Sequence, residues 1–274
     1  MRAALLLALP ACTNTLVIGE LAPDAGADAR PGPTVEVRLR ATAAAFAQTD
    51  GLSGETPRKA SLGIRSLRLM SGPTDPNPAL VFDLGTAFVE APLDDGSDTS
   101  IATVAIARVR AGSYAWAKVG VSHVRYQVDA TMHSAGIDLA GVFDNAQVLS
   151  SGTLLDGVAR DAGWYRFSFV ANGTTWGTIT GANGPLPTYP QSGGIGLVVE
   201  ANSAYYTFPV TTVIDPGVTR DWVVTLVLNV DHDFRWEDTP GAGHQPGVFD
   251  AEPTAFEPVR RFGANAMTLE VRQK

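Results

Sequence analysis

Cysteine and long apolar runs are the two features that this 274-residue chain most lacks. Its single cysteine, Cys12, excludes an intrachain disulfide and a metal site built from several thiolates. No apolar run approaches the roughly 20 residues that a membrane-spanning helix needs. Hydrophobic residues nevertheless make up 45% of the chain. We therefore expect a fold that is stabilised by core packing, with a bound ion as a further option.

Basic clusters and catalytic signatures are also missing. The chain has 20 Lys and Arg residues against 28 Asp and Glu residues, and its longest basic run is Arg260-Arg261. Binding to phosphate backbones needs clustered cations, so we expect no nucleic-acid partner. The sequence contains no G-x-S-x-G, G-x-x-x-x-G-K-[ST], H-E-x-x-H or dinucleotide-binding glycine pattern. We predict that the protein is not an enzyme; a carboxylate pair for glycoside cleavage stays open because only the fold brings such a pair together.

The first twelve residues have the order of an export signal. Arg2 is followed by the apolar run 3–9, and the small residue Ala11 directly precedes Cys12. This order resembles the lipobox of bacterial lipoproteins, which implies a signal peptide over residues 1–11 and lipid attachment at Cys12. The alternative is an ordinary cleaved signal or a wrongly assigned start, with Cys12 as an unused thiol.

Residues 12–33 are small and polar, and prolines interrupt them. Such a segment buries too little apolar surface to fold, so we predict a lipidated flexible tether. About twenty extended residues at roughly 3.3 Å each would hold the folded part tens of ångströms from the bilayer. Thr13 after the cysteine resembles the signal for sorting to the outer membrane.

Alternation of apolar and polar residues with a period of two begins at Val35 and recurs along the chain. The longest strand candidate covers residues 114–133, and its apolar parity changes between Val121 and Val124. One inserted residue changes the buried face of a strand, so we predict a bulge near residues 120–122.

Turn residues separate the strand candidates. The chain has 28 glycines and 18 prolines, and Asp-Gly in residues 94–97 predicts a tight turn. The alanine-rich residues 42–48 are predicted to be a loop or a single turn. We predict an all-β antiparallel β-sandwich of about a dozen strands with little helix, in one domain over residues 34–274.

Three short segments carry a family resemblance: residues 64–70, residues 81–84, and residues 110–114 leading into a strand. Together they resemble bacterial surface lipoproteins with a transthyretin-like or related β-sandwich domain. The resemblance covers residues 60–130 and brings no catalytic residue with it. It implies an envelope protein that binds or supports another component.

Acidic residues are densest after the last strong strand candidate, at Asp231, Asp233, Asp238 and Asp250. On a strand, Asp231 and Asp233 would project from the same side about 7 Å apart. Ca²⁺ prefers several carboxylate and carbonyl oxygens, so these four aspartates are candidate calcium ligands. The alternative is a solvated face on which Asp231 or Asp233 pairs with Arg235.

Histidines and aromatic residues give weaker signals. His232 shares an apolar face with Val230 and Phe234, which predicts a core or interface position. His244 lies in a loop, and no second histidine stands at ligand spacing from it. Six aromatic residues are predicted to fill the core or its rim, with a sugar-binding face as the alternative: Trp164, Tyr165, Trp176, Tyr189, Tyr205 and Tyr206.

These patterns predict a lipid-anchored protein of the bacterial cell envelope, in the outer membrane by analogy, with a non-catalytic structural or ligand-binding role. A calcium-supported carbohydrate-binding module is the alternative. The expected partners are the membrane through the lipid, and a glycan or an envelope protein. Calcium is the only cofactor that the sequence suggests.

Overall fold

In the computed structural model of the chain, β1 (Thr34–Thr42) shows how the sequence pattern becomes structure. Its residues alternate between buried and partly exposed, with Val35 and Leu39 on the buried face, as a strand with one face on the core requires. The structure describes residues 32–187, 194–215 and 217–274. The predicted signal peptide, Cys12, most of the predicted tether and Tyr189 lie outside the described residues.

The described residues are predominantly strand, with one short 3₁₀ helix at Ile106–Arg108. This confirms the all-β prediction. The described residues contain twenty strands rather than about a dozen. Half of these strands are only two to five residues long. In chain order they are β1, β2 (Ser53–Glu55), β3 (Lys59–Met70), β4 (Ala79–Asp83), β5 (Val89–Pro92), β6 (Asp98–Ala105), β7 (Gly112–Ser134), β8 (Ile137–Val148), β9 (Thr153–Leu155), β10 (Val158–Arg160), β11 (Tyr165–Ala171), β12 (Thr174–Gly181), β13 (Gly196–Glu200), β14 (Ser203–Ile214), β15 (Trp222–Asn229), β16 (Phe234–Trp236), β17 (Asp250–Glu252), β18 (Ala255–Phe256), β19 (Val259–Arg261) and β20 (Ala266–Gln273).

Two sheets carry most of the architecture. The smaller has the order β20-β15-β1-β6, and the larger follows the path β12-β11-β8-β7-β14-β13, with β3, β4, β5, β17 and β18 joined beside it. Most pairs are antiparallel; β1 with β15 and β17 with β7 are parallel. Buried side chains from both sheets share one hydrophobic core. The predicted antiparallel sandwich is therefore confirmed.

The long strand β7 organises the larger sheet. It pairs with β14 and then β8 along one edge, and with β3 and then β17 along the other. The register shifts near the change of neighbour, where Leu62 opposes Val124 but Ile64 opposes Val121. Val121 and Val124 are both buried. The predicted bulge and its change of buried face are thus confirmed, one or two residues further along.

Two local predictions have different outcomes. The turn at residues 94–97 is confirmed, because the Ser97 N–H donates to the Asp94 carbonyl at 2.9 Å and Gly96 has a φ of 77°. The apolar pattern of residues 101–109 also predicts a strand, but the strand ends at Ala105, where the chain turns into the 3₁₀ helix.

Candidate metal centre

Three side chains from the segment after β16 gather around one point. His244, Asp250 and Glu257 each offer a ligand atom, and these atoms lie within 4.8 Å of one another. Asp250 and Glu257 are 1% and 2% exposed. Within the described ranges, no other group of three such residues is this close together. Imidazole and carboxylate are the side-chain ligands of many divalent metal ions, so this cluster is a candidate metal centre.

The β7–β8 hairpin places a second histidine beside the cluster, in contact with Asp250. β17 pairs in parallel with β7, with Asp250 opposite Thr131. His133, near the end of β7, lies with its Nε2 2.8 Å from Asp250 Oδ1 and its Nδ1 2.7 Å from Asp138 Oδ1. The rings of His133 and His244 have centroids 5.1 Å apart. The centre therefore joins a strand end to a loop that follows it by more than a hundred residues.

Backbone donors orient the two buried carboxylates. Glu257 accepts a hydrogen bond from Thr239 N–H at 2.6 Å and another from Asp250 N–H at 3.0 Å. Asp250 Oδ2 accepts from Gln245 N–H at 2.7 Å. Such outer contacts fix the orientation of carboxylates around metal ions in proteins. Both carboxylates are held in place by the fold alone.

One ring nitrogen of His244 has a hydrogen-bond partner, and the other has none among the described residues. Its Nδ1 lies 2.9 Å from the Thr239 carbonyl oxygen. A carbonyl only accepts, so Nδ1 carries a proton, and in the neutral ring Nε2 then keeps its lone pair. This Nε2 is buried and has no partner among the described residues, which costs about 1–3 kcal/mol unless a ligand uses it. Metal-binding histidines usually donate their other N–H to such a carbonyl.

The two buried carboxylates of the cluster favour the binding of a cation. Among the described residues, the ion-pair partners of Asp250 and Glu257 are the imidazoles of His133 and His244, which are charged only when protonated. The hydrogen bond to Asp250, followed by that to Asp138, raises the pKa of His133. Two buried carboxylates thus face one histidine whose protonated form Asp250 favours, and buried charge is costly unless it is balanced.

Of the four predicted calcium ligands, only Asp250 belongs to this centre. Asp231 accepts a hydrogen bond from Phe46 N–H at 2.9 Å. Asp238 accepts one from Trp236 Nε1–H at 3.1 Å. These two aspartates fix neighbouring loops instead.

The predicted common face of Asp231 and Asp233 is wrong. β15 ends at Asn229, and His232 adopts a φ of 48° that breaks the alternation. Asp233 is therefore buried, at 1% exposed, whereas Asp231 is only partly buried. Burial raises the pKa of Asp233 to about 7. The predicted core position of His232 is also wrong, because 55% of its side chain is exposed.

Sequence reasoning missed His133 and Glu257, and it left His244 without a second histidine. His133 and Asp250 are 117 residues apart in the chain and meet because β17 pairs with β7. No local spacing indicates that pairing. His123, ten residues before His133 on β7, is fully buried away from the centre, and burial lowers its pKa to about 4.

Comparison with known proteins adds no relative. No family model, curated protein or solved structure matches the chain. Across the part of the chain that the structure describes, no helix has the length and apolarity to cross a membrane. The function proposed below is therefore based on side-chain geometry and on the sequence.

Proposed function

We propose that the protein is a lipid-anchored component of the bacterial cell envelope whose β-sandwich binds one divalent metal ion and catalyses no reaction. The gathering of His244, Asp250 and Glu257 in one buried cluster, with His133 against Asp250, carries the metal-binding proposal. The export signal and Cys12 in the sequence support the location.

The donor set favours a first-row transition ion such as Zn²⁺ over Ca²⁺. One imidazole and two carboxylates, those of His244, Asp250 and Glu257, are three side-chain donors of the kinds that zinc sites use. Calcium takes about six to eight oxygen ligands, and imidazole is not among them. The ion class proposed here therefore differs from the calcium that the acidic pattern of the sequence suggested.

Burial of the ligands favours a structural role for the ion. The side chain of His244 is 11% exposed and those of Asp250 and Glu257 are 1% exposed, and His133, which contacts Asp250, is 9% exposed. Catalytic zinc sites keep one position open to water or substrate, whereas structural sites are closed. A bound ion would fix the loop between β16 and β17 against the β7–β8 hairpin.

Thermal unfolding of the full chain with Zn²⁺, with Ca²⁺ and with a chelator tests the metal proposal. A ligand that binds only the folded state adds about 2.7 kcal/mol at 100 times its Kd, so Zn²⁺ is expected to raise Tm by several degrees. His244→Gln is expected to abolish the rise. The control His232→Gln changes an exposed histidine outside the centre and is expected to keep it. An unchanged midpoint in every ion would overturn the proposal.

Mass spectrometry of the protein taken from native membranes tests the anchor. We expect a mature chain that starts at an acylated Cys12, and we expect Cys12→Ser to yield unlipidated protein that leaves the membrane fraction. A wild-type chain with residues 1–11 intact and no acyl group would contradict the anchor without affecting the metal proposal.

Glycan binding is a second candidate function, and the exposed Trp176 is the observation that favours it. Trp176 is 63% exposed, and its Nε1–H donates to the Ala171 carbonyl at 3.3 Å. It borders a groove of about 430 Å³ that Met132 and Leu139 also line. Flat aromatic rings offer large, rigid apolar surfaces, which suit the apolar faces of sugars. A glycan array with wild type and Trp176→Ala tests this function, and silence of the wild type would remove it.

A further inference from the structure

A buried arginine without a carboxylate partner lies beside the first half of β7. Arg65 is 6% exposed. Its guanidinium donates to the carbonyls of Ser151 and Thr86, at 3.1 and 3.2 Å, and to the Thr153 hydroxyl at 2.8 Å. Its Nε–H has no acceptor among the described residues. All three acceptors are neutral, so no acceptor balances the buried charge.

Arg65 occupies a bulge in β3. Ile64 opposes Val121 and Ser66 opposes Gly120, so Arg65 is the extra residue with no partner across the ladder. Bulges of this kind redirect a side chain and are enriched next to binding sites. The local backbone therefore gives Arg65 an orientation that a regular strand would not.

Arg65 lines a cavity of about 200 Å³ between β3, β7 and β14. Ser66, Asp83, Ser203 and Tyr205 also line it. At roughly 30 Å³ of liquid volume per water, the cavity holds a polar group of several heavy atoms. A small anion or the charged end of a larger ligand fits this volume.

Near the cavity, one positive side chain has no negative partner. Lys118 pairs with Glu200 at 2.5 Å, and Arg68 pairs with Asp83 at 3.1 Å. Arg65 and Asp83 are the charged residues that line the cavity; Asp83 has Arg68 as its partner, whereas Arg65 has no ion pair with an acidic side chain among the described residues. Burial lowers the pKa of Arg65, since the charged form is poorly solvated there. One excess positive charge matches a ligand with a single negative charge.

We propose that this cavity is a binding site for a small carboxylate, with Arg65 as the residue that recognises it. The unpartnered Nε–H of Arg65 is the donor that a carboxylate oxygen would accept from, in a charge-assisted hydrogen bond. A phosphate monoester carries a charge of about −1.5 to −2 at neutral pH, which exceeds the single positive charge of Arg65. The site is separate from the metal centre and does not depend on the function proposed above.

Thermal unfolding of the full chain in acetate, formate, phosphate and chloride at equal ionic strength tests this site. Acetate and formate are expected to raise Tm by a few degrees over chloride, because they bind the folded state. Arg65→Gln is expected to lose this rise. Arg68→Gln is the matched control, since it removes a neighbouring arginine that already has an acidic partner, and it is expected to keep the rise.

Amide NMR on the wild type keeps the proposal testable if Arg65→Gln fails to fold. Acetate is expected to shift the amide signals of Ser66, Ser151 and Ser203 and to leave those of His133 and Asp250 unchanged. Three results would overturn the proposal: no acetate response in the wild type, an equal response in Arg65→Gln, or a response to phosphate alone.

Discussion

Two buried acidic regions lie close together in the sequence and differ in their surroundings. Asp250 is hydrogen-bonded to His133 and to the Gln245 N–H. Asp233 is equally buried, but neither of its oxygens has a hydrogen-bond partner of normal geometry among the described residues. Burial raises the pKa of Asp233 to about 7, which favours its neutral form. A buried carboxylate is therefore suited to binding a metal ion when hydrogen-bond donors and imidazoles surround it. Burial or acidity alone is not sufficient.

The largest expected effect concerns Asp233 and pH. Its pKa of about 7 in the folded protein lies above the ordinary value of 3.8, so the folded state holds a proton that the unfolded chain releases. The resulting stability is complete below about pH 4 and is lost as the pH rises to about 7. At about 1.4 kcal/mol per pH unit, the loss is roughly 4 kcal/mol. In urea unfolding, Asp233→Asn is expected to lack this loss and to exceed wild type in stability at pH 8.

The control for this prediction is Asp161→Asn, which changes an exposed aspartate and is expected to keep the wild-type pH dependence. Burial also raises the pKa of Glu55 to about 7, but Glu55 titrates in all three proteins and cancels in the comparison. Equal pH dependence in wild type and Asp233→Asn would show that Asp233 is charged when buried.

Asp250→Asn tests the other side of the comparison. The substitution removes the charge that faces His133, and without metal we expect the free energy of unfolding to fall by about 2 kcal/mol. The rise in Tm with Zn²⁺ is expected to disappear. Glu252→Gln, on the exposed face of the same strand, is the control and is expected to retain the rise. A Zn²⁺ response that survives in Asp250→Asn would remove Asp250 from the centre.

Two glycines near the candidate metal centre allow the effect of a side-chain contact to be distinguished from the effect of backbone strain. A Cβ on Gly243 would lie 2.7 Å from His133 Nδ1, whereas one on Gly247 would meet nothing within 4 Å. Their φ values are 88° and 81°, so Gly243→Ala and Gly247→Ala share a conformational cost of about 1 kcal/mol. Only Gly243→Ala is expected to weaken Zn²⁺ binding, by about tenfold in a chelator competition. Equal weakening in both variants would assign the effect to the backbone.

The smallest expected effect concerns Tyr126, the neighbour of Asp233. Burial, and then the Asp233 carboxyl, raises the pKa of Tyr126, and its hydroxyl is buried with no hydrogen-bond partner in the described ranges. Tyr126→Phe is therefore expected to be neutral or to stabilise the protein by up to about 1 kcal/mol in urea unfolding. A clear loss of stability would indicate that this hydroxyl supports Asp233.

The fold class was predictable because strand periodicity is a local property. The alternation at Val35 and the parity change between Val121 and Val124 each record which face of a strand is buried. The metal centre was not predictable, since His133 and Asp250 meet through a pairing of distant strands. The left-handed backbone at His232 broke an alternation that otherwise predicted a continuous strand. Local patterns therefore predicted which strand faces are buried, but not which loops contact each other.

β7 also sets how far apart the two candidate sites are. Val121 borders the carboxylate cavity and His133 borders the metal centre, and they are twelve residues apart on this strand. At about 3.3 Å per residue, the contour between them is roughly 40 Å. No small molecule bridges that length. The two ligands would therefore bind without touching each other, and β7 is a structural element that both sites share.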